Sequence, residues 1–320
     1  MKNFLSIESA TVAELHAILA LATEMKATRG HHATHPLRHQ CWALLFSKSS
    51  TRTRVSFEVG IRELGGDVLF LNASEIQLGR GEPIKDTARV LGRMIHGAVI
   101  RTFAQSDVED FAQYSGIPTI NALTDGEHPC QIIADLQTIQ EKLGGIEGRT
   151  VTFVGDGACN MPISWLWAAS KLNFELRIAA PAAFQPAPEI VARAFPIVKQ
   201  SGPAVGGKPA VYEAASGGRL VITENIDAAA SGADVLYTDV WVSMGKEDEA
   251  AFRAAQFARY QIDAALVSKA KPGALVMHCL PAYRGKEITE EVLEAHADTI
   301  FTQAENRLHA QKAILALLAR

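Results

Sequence analysis

Residues 46–60 read FSKSSTRTRVSFEVG and set Ser50, Thr51, Arg52, Thr53 and Arg54 in an unbroken row. The row follows an apolar run, CWALLF (41–46), and opens an amphipathic one. A helix N-terminus presents unpaired N–H groups and a partial positive charge, so it attracts anions. Ser50, Thr51 and Thr53 add hydroxyl donors there, and Arg52 and Arg54 add guanidinium forks suited to phosphate oxygens. A capped helix start with incidental arginines is the ordinary explanation. The density of donors directly after a buried strand favours a phosphate site instead. The stretch has no glycine before Gly60 and no G-K-[ST], so it is not a Walker A loop.

Arg101 closes another apolar run, AVIR (98–101). Charged residues at the C-terminal ends of strands in α/β sheets face the ligand crevice. His128 and Gln131, in EHPCQ (127–131), stand at the start of a helical pattern, where His128 can donate to an oxygen. Taken singly, Arg101 reads as a surface arginine and His128 as a cap. Three successive strand ends that deliver Arg52 and Thr53, Arg101, and His128 with Gln131 toward one edge carry more weight than any member.

The second half has its own strand ends. VGDGACNMPISW (154–165) begins like a dinucleotide fingerprint. Asn160 occupies the third glycine's place, however, and the next strand, LRIAAP, ends without the acid that would hold a ribose. YTDVWVSMG (237–245) puts Asp239 at a strand end, followed by Ser243 and Met244, and MHCLPAYRG (277–285) does the same with His278 and Cys279. Neighbours on an extended chain point to opposite sides, which argues against a Cys–His nucleophile pair. In GHHATHPLRH (30–39), Pro36 interrupts any helix that would pair His35 with His39, and no thiolate or carboxylate adjoins. A polar linker is expected there rather than a metal site.

These residues need elements to hold them. Apolar strand candidates at 41–46, 67–71, 98–102 and 117–120, then 150–154, 175–179, 219–223, 234–237 and 273–277, alternate with helical patterns. Four strands followed by five predict an α/β fold of two similar-sized lobes, each a mostly parallel sheet flanked by helices. PCQIIADLQTIQEKLGG (129–145) has helical apolar spacing and bridges the lobes, with domains expected at 1–140 and 145–300. A first helix begins near Ser9 to Thr11, and residues 201–217 read as a loop or insertion.

Composition bounds the function classes. At 320 residues the chain exceeds one core of roughly 100–200 residues, so two domains are expected. A net charge of −4 offers no global attraction to nucleic acid, so any anion site is local. No apolar run approaches the roughly 20 residues that span a bilayer, and no signal-peptide pattern opens the chain. Cys41, Cys130, Cys159 and Cys279 form no C-x-x-C pair, which fits a reduced, cytoplasmic protein.

Together these segments resemble the aspartate/ornithine carbamoyltransferase superfamily, and within it the ornithine branch. The resemblance runs nearly end to end, through FSKSSTRTRVSF (46–57), QLGRGEPIKDTARVL (77–91), IRTF (100–103), HPCQ (128–131), DVWVSMG (239–245), HCLPA (278–282) and AENR (304–307). The S-T-R-T-R and H-P-x-Q pieces mark the superfamily; D-x-W-x-S-M-G and H-C-L-P point to ornithine. The resemblance implies a first lobe that binds carbamoyl phosphate and a second that binds the amino acid. It also implies a homotrimer with active sites at subunit interfaces and no cofactor. It places carbamoyl phosphate contacts on Ser50, Thr51, Arg52, Thr53, Arg101, His128, Gln131 and Arg307, with Gln77 reaching in from a neighbouring subunit. Ornithine contacts fall on Asn160, Asp239, Ser243 and Met244, with Cys279 and Leu280 near the reacting amine. Thr53, Arg101, His128, Asp239 and Cys279 carry the catalytic roles, and the Arg307 helix (303–320) is expected to pack back on the first lobe. Cys159 and Ile163 depart from residues usual in relatives, while Asn160 keeps its place. Other acceptors (N-acetylornithine, putrescine, aspartate) and an inactive carbamoyl phosphate-binding homologue remain as alternatives.

Overall fold

The computed structural model describes residues 1–72, 81–200, 208–243 and 245–319. The chain divides into two compact units, Met1–Gln137 with Glu305–Arg320, and Thr138–Ala304. It passes from one unit to the other within the Pro129–Leu143 helix and again within the Ala297–Leu318 helix.

The first unit holds β1 (Cys41–Phe46), β2 (Asp67–Asn72), β3 (Gly97–Arg101) and β4 (Thr119–Leu123). They form a parallel sheet in the order β2-β1-β3-β4. The chain winds outward from β1 to β2 and then back to β3, so the winding reverses between β1 and β3. The 117–120 strand expectation is corrected to Thr119–Leu123. Pro118 cannot donate to a ladder, and pairing begins after it. A core of Ala43, Leu45, Ala98, Ile100, Val108 and Phe111 packs on one sheet face. The Val12–Ala27 helix starts at Thr11, whose side chain and Glu14 form a reciprocal capping box.

The second unit holds β5 (Thr150–Val154), β6 (Glu175–Ala179), β7 (Ile197–Gln200), β8 (Ala210–Glu213), β9 (Arg219–Thr223), β10 (Val235–Thr238) and β11 (Leu275–His278). Their order is β11-β10-β5-β6-β9-β8-β7, with the last two strands antiparallel and the rest parallel. The expectation of five strands is therefore corrected to seven described ones. The Gly- and Pro-rich 201–217 stretch contains β8 at Ala210–Glu213. Its residues 201–207 lie outside the described residues. β7 and β8 are four-residue elements at one end of the sheet, too short for alternation to show, and the antiparallel pairing of β8 onto β9 and of β7 onto β8 supplies the order that local pattern does not. Here the winding reverses between β5 and β10.

The core of this unit includes Val154, Leu236, Val276, Trp241, Phe257 and Ile262. Each large apolar side chain buried there contributes about 1.5–3 kcal/mol. The glycines of VGDG serve packing. Gly155 takes φ +136°, and a Cβ on Gly157 would lie 2.7 Å from the Ile178 side chain and 2.9 Å from the Phe184 carbonyl. That close approach explains the G-x-G without a pyrophosphate.

Candidate active site

In an open α/β sheet, ligands bind beyond the C-terminal strand ends where the winding reverses. In the first unit that point joins the β1 end to the β3 end, with Phe46 paired to Arg101. The Thr51–Glu63 helix begins directly after β1. Ser50 is its cap, in extended conformation, and its Oγ accepts the Thr53 N–H at 3.2 Å. Ser50 Oγ also donates to Thr53 Oγ1 at 2.9 Å. Thr53 is fully buried, and its Oγ1 accepts from Arg307 Nη2 at 2.5 Å. Arg307 lies in the terminal helix, so this one bond joins residues 254 positions apart.

Arg101 ends β3 where the β3–β4 register shifts between Ile100 and Arg101, an irregularity that re-aims a side chain. Arg101 is 7% exposed and Arg307 3%. Both cations bear on His128, whose imidazole is held well below its ordinary value by burial first, then by Arg307 and Arg101. His128 is therefore neutral at physiological pH. It stands before the Pro129–Leu143 helix, and its carbonyl accepts the Gln131 N–H at 3.1 Å. Gln131 is buried; its Nε2 donates to Asp135 at 2.8 Å, while its Oε1 has no hydrogen-bond partner among the described residues. Arg52 Nε is in the same condition. Thr51 is exposed, and the expectation of a phosphate fork at Arg54 is corrected: its guanidinium is engaged by Glu58 and lies 3.7 Å from the Phe70 ring centroid. Gln77 lies outside the described residues.

Among the residues expected to contact the acceptor, Asn160 and Asp239 follow the two strands that meet at the second reversal point. Thr238 Oγ1 donates to the Val154 carbonyl at 2.7 Å, stitching the ends of β10 and β5. Asn160 opens the Asn160–Leu172 helix after β5, and Asp239 follows β10. Asp239 Oδ1 accepts from the Val240 N–H at 2.7 Å and from the Cys279 thiol at 2.9 Å. Burial pushes its carboxyl above the ordinary range, opposed by the hydrogen bonds from the Cys279 thiol and the Val240 N–H. Ser243 is half-buried, and Met244 lies outside the described residues. Burial also raises the Cys159 thiol, helped by the charges of Asp156 and Asp239, so Cys159 is a neutral thiol beside the acceptor residues.

One expectation needs correction. His278 and Cys279 do not diverge: the strand stops at His278, and one ligand atom each of Asp239, His278 and Cys279 lies within 4.8 Å of the others. The imidazole is nevertheless fully engaged. His278 Nδ1 accepts the Leu280 N–H at 2.8 Å, so the neutral ring carries its proton on Nε2 and presents it to Glu287 at 3.3 Å. It offers no lone pair to activate Cys279 or to hold a cation. Glu287 also accepts the Tyr283 N–H at 2.5 Å.

Sequence reasoning passed over several supporting residues. Lys48 lies inside the opening motif. It is 5% exposed, pairs with Asp125 after β4 and sits 4.3 Å from the Phe103 ring centroid, so it ties the β1 loop to the β4 loop. Glu127 accepts the main-chain N–H groups of Ile7 at 2.9 Å and Glu8 at 3.3 Å, anchoring the segment beside His128. Asp156 and Arg253 do related work in the second unit. Lys48 and Glu127 adjoin motif residues, which was a usable signal; Arg253 carried none.

Residues 2–141 match the profile described as aspartate/ornithine carbamoyltransferase, carbamoyl-P binding domain, and residues 147–318 match the Asp/Orn binding domain of the same family. The chain belongs to the aspartate/ornithine carbamoyltransferase family. It is 54% identical to an ornithine carbamoyltransferase of Akkermansia muciniphila, over 100% of this chain and 98% of that one. A second, from Sulfurovum sp., is 47% identical over 99% of each chain. Among solved structures, the anabolic ornithine carbamoyltransferase of Campylobacter jejuni superposes with a TM-score of 0.88 at 40% identity, covering 99% of each chain. That of Pyrococcus furiosus gives 0.88 at 41%, covering 99% of this chain and 97% of that one. Within this carbamoyltransferase the two profiles divide near the Pro129–Leu143 helix, although the second runs to 318 while Glu305–Arg320 groups with the first unit.

Proposed function

We propose that this carbamoyltransferase moves the carbamoyl group of carbamoyl phosphate to the δ-amine of L-ornithine, forming citrulline and phosphate. The observation that carries the reading is the bond from Arg307 to Thr53, beside His128 and Arg101, in a chain of this family. Those donors are buried.

The δ-nitrogen attacks the carbonyl carbon, and negative charge grows on the carbonyl oxygen as phosphate leaves. Arg101 supplies full charge to that oxygen. Thr53 and the neutral His128 supply directional donors, as an oxyanion hole does. Ser50, Thr51, Arg52, Arg307 and the helix N-terminus hold the phosphate. Gln131, through its unpaired Oε1, accepts from the carbamoyl amide. Asp239 pairs with the α-ammonium of ornithine, Asn160 meets the α-carboxylate, and Ser243 and Met244 flank the chain. Cys279 and Leu280 stand near the reacting amine. Cys279 acts as a hydrogen-bonding thiol, since its donor bond runs to Asp239 and the neighbouring imidazole is spent on Leu280.

The active assembly in this reading is a homotrimer in which Gln77 of one subunit completes a neighbour's carbamoyl phosphate site. The first unit supports association by exposing Val55, Leu69, Val90, Met94 and Phe103. Mixing inactive Gln77→Ala and Arg101→Ala variants restores activity in hybrids on this reading; hybrids that form and stay inactive refute it. The enzyme works in the cytoplasm, in keeping with its four free cysteines. No described helix is long and apolar enough to cross a membrane.

The deciding experiment measures kcat/KM for ornithine, N-acetylornithine, putrescine and aspartate. Ornithine should lead, since each lost charged contact costs about 1.5–3 kcal/mol. Its apparent affinity should improve from about pH 7 to 9 as the amine, with a reference pKa of about 10.4, deprotonates. A rival amine that beats ornithine overturns the acceptor assignment, and no turnover with any amine favours the inactive homologue.

A further inference from the structure

Arg253 takes no part in either half-site, yet it is among the most constrained side chains of the second unit. It lies in the Ala250–Phe257 helix and is 3% exposed. Its Nη1 donates to Asp156 Oδ2 at 2.7 Å and to the Trp241 carbonyl at 3.3 Å. Its Nε donates to Glu249 Oε2 at 2.7 Å, and the guanidinium carbon lies 5.1 Å from the Phe184 ring centroid. A buried cation is costly unless paired, so Arg253 sits where its partners are, and they sit where it is. The planar fork makes that mutual placement rigid.

The partners are what give this meaning. Asp156 shapes the turn after β5: its Oδ1 accepts the Ala158 N–H at 3.0 Å, and its carbonyl accepts from the Cys159 thiol at 3.2 Å. That turn delivers Asn160. Trp241 lies two residues beyond Asp239 and two before Ser243, and Glu249 ends the short helical turn Glu247–Glu249 that follows. One guanidinium therefore spans the segment carrying Asn160 and both flanks of the segment carrying Ser243, close after Asp239.

We propose that Arg253 is a positioning residue for the amino-acid acceptor. It sets the separation between the Asn160 end and the Asp239–Ser243 end of the acceptor half-site, through Asp156 on one side and the Trp241 carbonyl on the other. The proposal rests on the carbamoyl-transfer reading above. Its signature is selective. Ornithine is held at both ends by those two segments, so loosening them raises its KM, while the described hydrogen-bond partners of Arg253 (Asp156, Trp241 and Glu249) have no role toward carbamoyl phosphate in this reading.

The test is steady-state kinetics of the full-length enzyme with each substrate varied in turn, for Arg253→Met, Arg253→Lys and Glu249→Gln, with melting temperatures alongside. In Arg253→Met the ornithine KM should rise at least about tenfold, with the carbamoyl phosphate KM within about threefold of wild type. Arg253→Lys keeps charge without the fork and should fall between. Glu249→Gln changes a half-exposed partner and should raise the ornithine KM by about two- to fivefold with little change in melting temperature. Equal increases in both KM values, or a fall in kcat and melting temperature with the ornithine KM unchanged, overturns the proposal. If Arg253→Met does not fold, the same split in the other two variants decides. Failure of the wild-type enzyme to use ornithine at all would instead refute the functional reading.

Discussion

At the winding reversal of the first sheet stand cations and neutral donors: Arg52, Arg101 and Arg307 with Ser50, Thr53 and His128. At the corresponding point of the second sheet stand a carboxylate, a thiol and an amide: Asp239, Cys279 and Asn160. Burial acts on both and drives each central titrating group toward neutrality, His128 downward and Asp239 upward. The neighbours act oppositely. Arg307 and Arg101 deepen the shift of His128, whereas hydrogen bonds from the Cys279 thiol and the Val240 N–H restrain that of Asp239. The first half is thus ready for an anion and keeps its imidazole uncharged. The second holds a desolvated carboxyl that gains most when an ammonium arrives.

The sharpest way to break this contrast is Arg101→Ala. Loss of the charge that the proposed reaction sets against the carbonyl oxygen should lower kcat/KM for carbamoyl phosphate by about a thousandfold. A deficit under about tenfold, with the fold intact by melting temperature, would remove Arg101 from the site.

Asp239→Asn comes next. It should lower kcat/KM for ornithine by about a hundredfold and leave carbamoyl phosphate affinity unchanged. Its effect on stability has the opposite sign. With the folded carboxyl raised above its unfolded value, the native state binds the proton more tightly, and stability falls as pH rises between those two values. Above that window the ionised carboxylate is a net cost, so Asp239→Asn should melt no lower than wild type at neutral pH. A marked drop in melting temperature would contradict the shift.

His128→Gln should reduce kcat about ten- to a hundredfold. Its depressed folded value means that below about pH 6.5 the unfolded chain takes up a proton the native state refuses, so stability falls on acidification. The variant should lose that contribution, and its stability should decline less steeply from about pH 6.5 downward, by about one proton. His309, held at about 4 by burial and Lys312, continues to contribute its own slope. An unchanged acid limb would show that His128 titrates normally.

The smallest effect should be Arg54→Ala. Arg54 shares the opening motif with Arg52, but its exposed fork is spent on Glu58 and the Phe70 ring. A loss of under about threefold is expected, against a hundredfold or more for Arg52→Ala. Equal losses would show that the motif acts as a block and not through its buried members.

Much of this was legible before folding because its causes are local. The Ser50 cap bonds to Thr53 three residues away, and the Thr11 capping box closes over the same distance. The strands that carry Phe46, Arg101, Asp239 and His278 to their ends are continuous apolar runs, buried on both sheet faces, and such runs announce themselves. The motifs also identified the family. β7 and β8 were missed for the converse reason: four residues at one end of a sheet carry too little pattern, and their order depends on β8 pairing with β9 and β7 with β8.

What only the tertiary structure decided is adjacency. Sequence placed donors at several strand ends; the orders β2-β1-β3-β4 and β11-β10-β5-β6-β9-β8-β7 chose which ends meet. The Arg307–Thr53 bond spans 254 positions and the Cys279–Asp239 bond 40, distances over which no periodicity acts. Protonation followed from the same source. A histidine becomes an uncharged donor, and a carboxyl a reluctant anion, only once packing removes water and fixes which charges stand beside it.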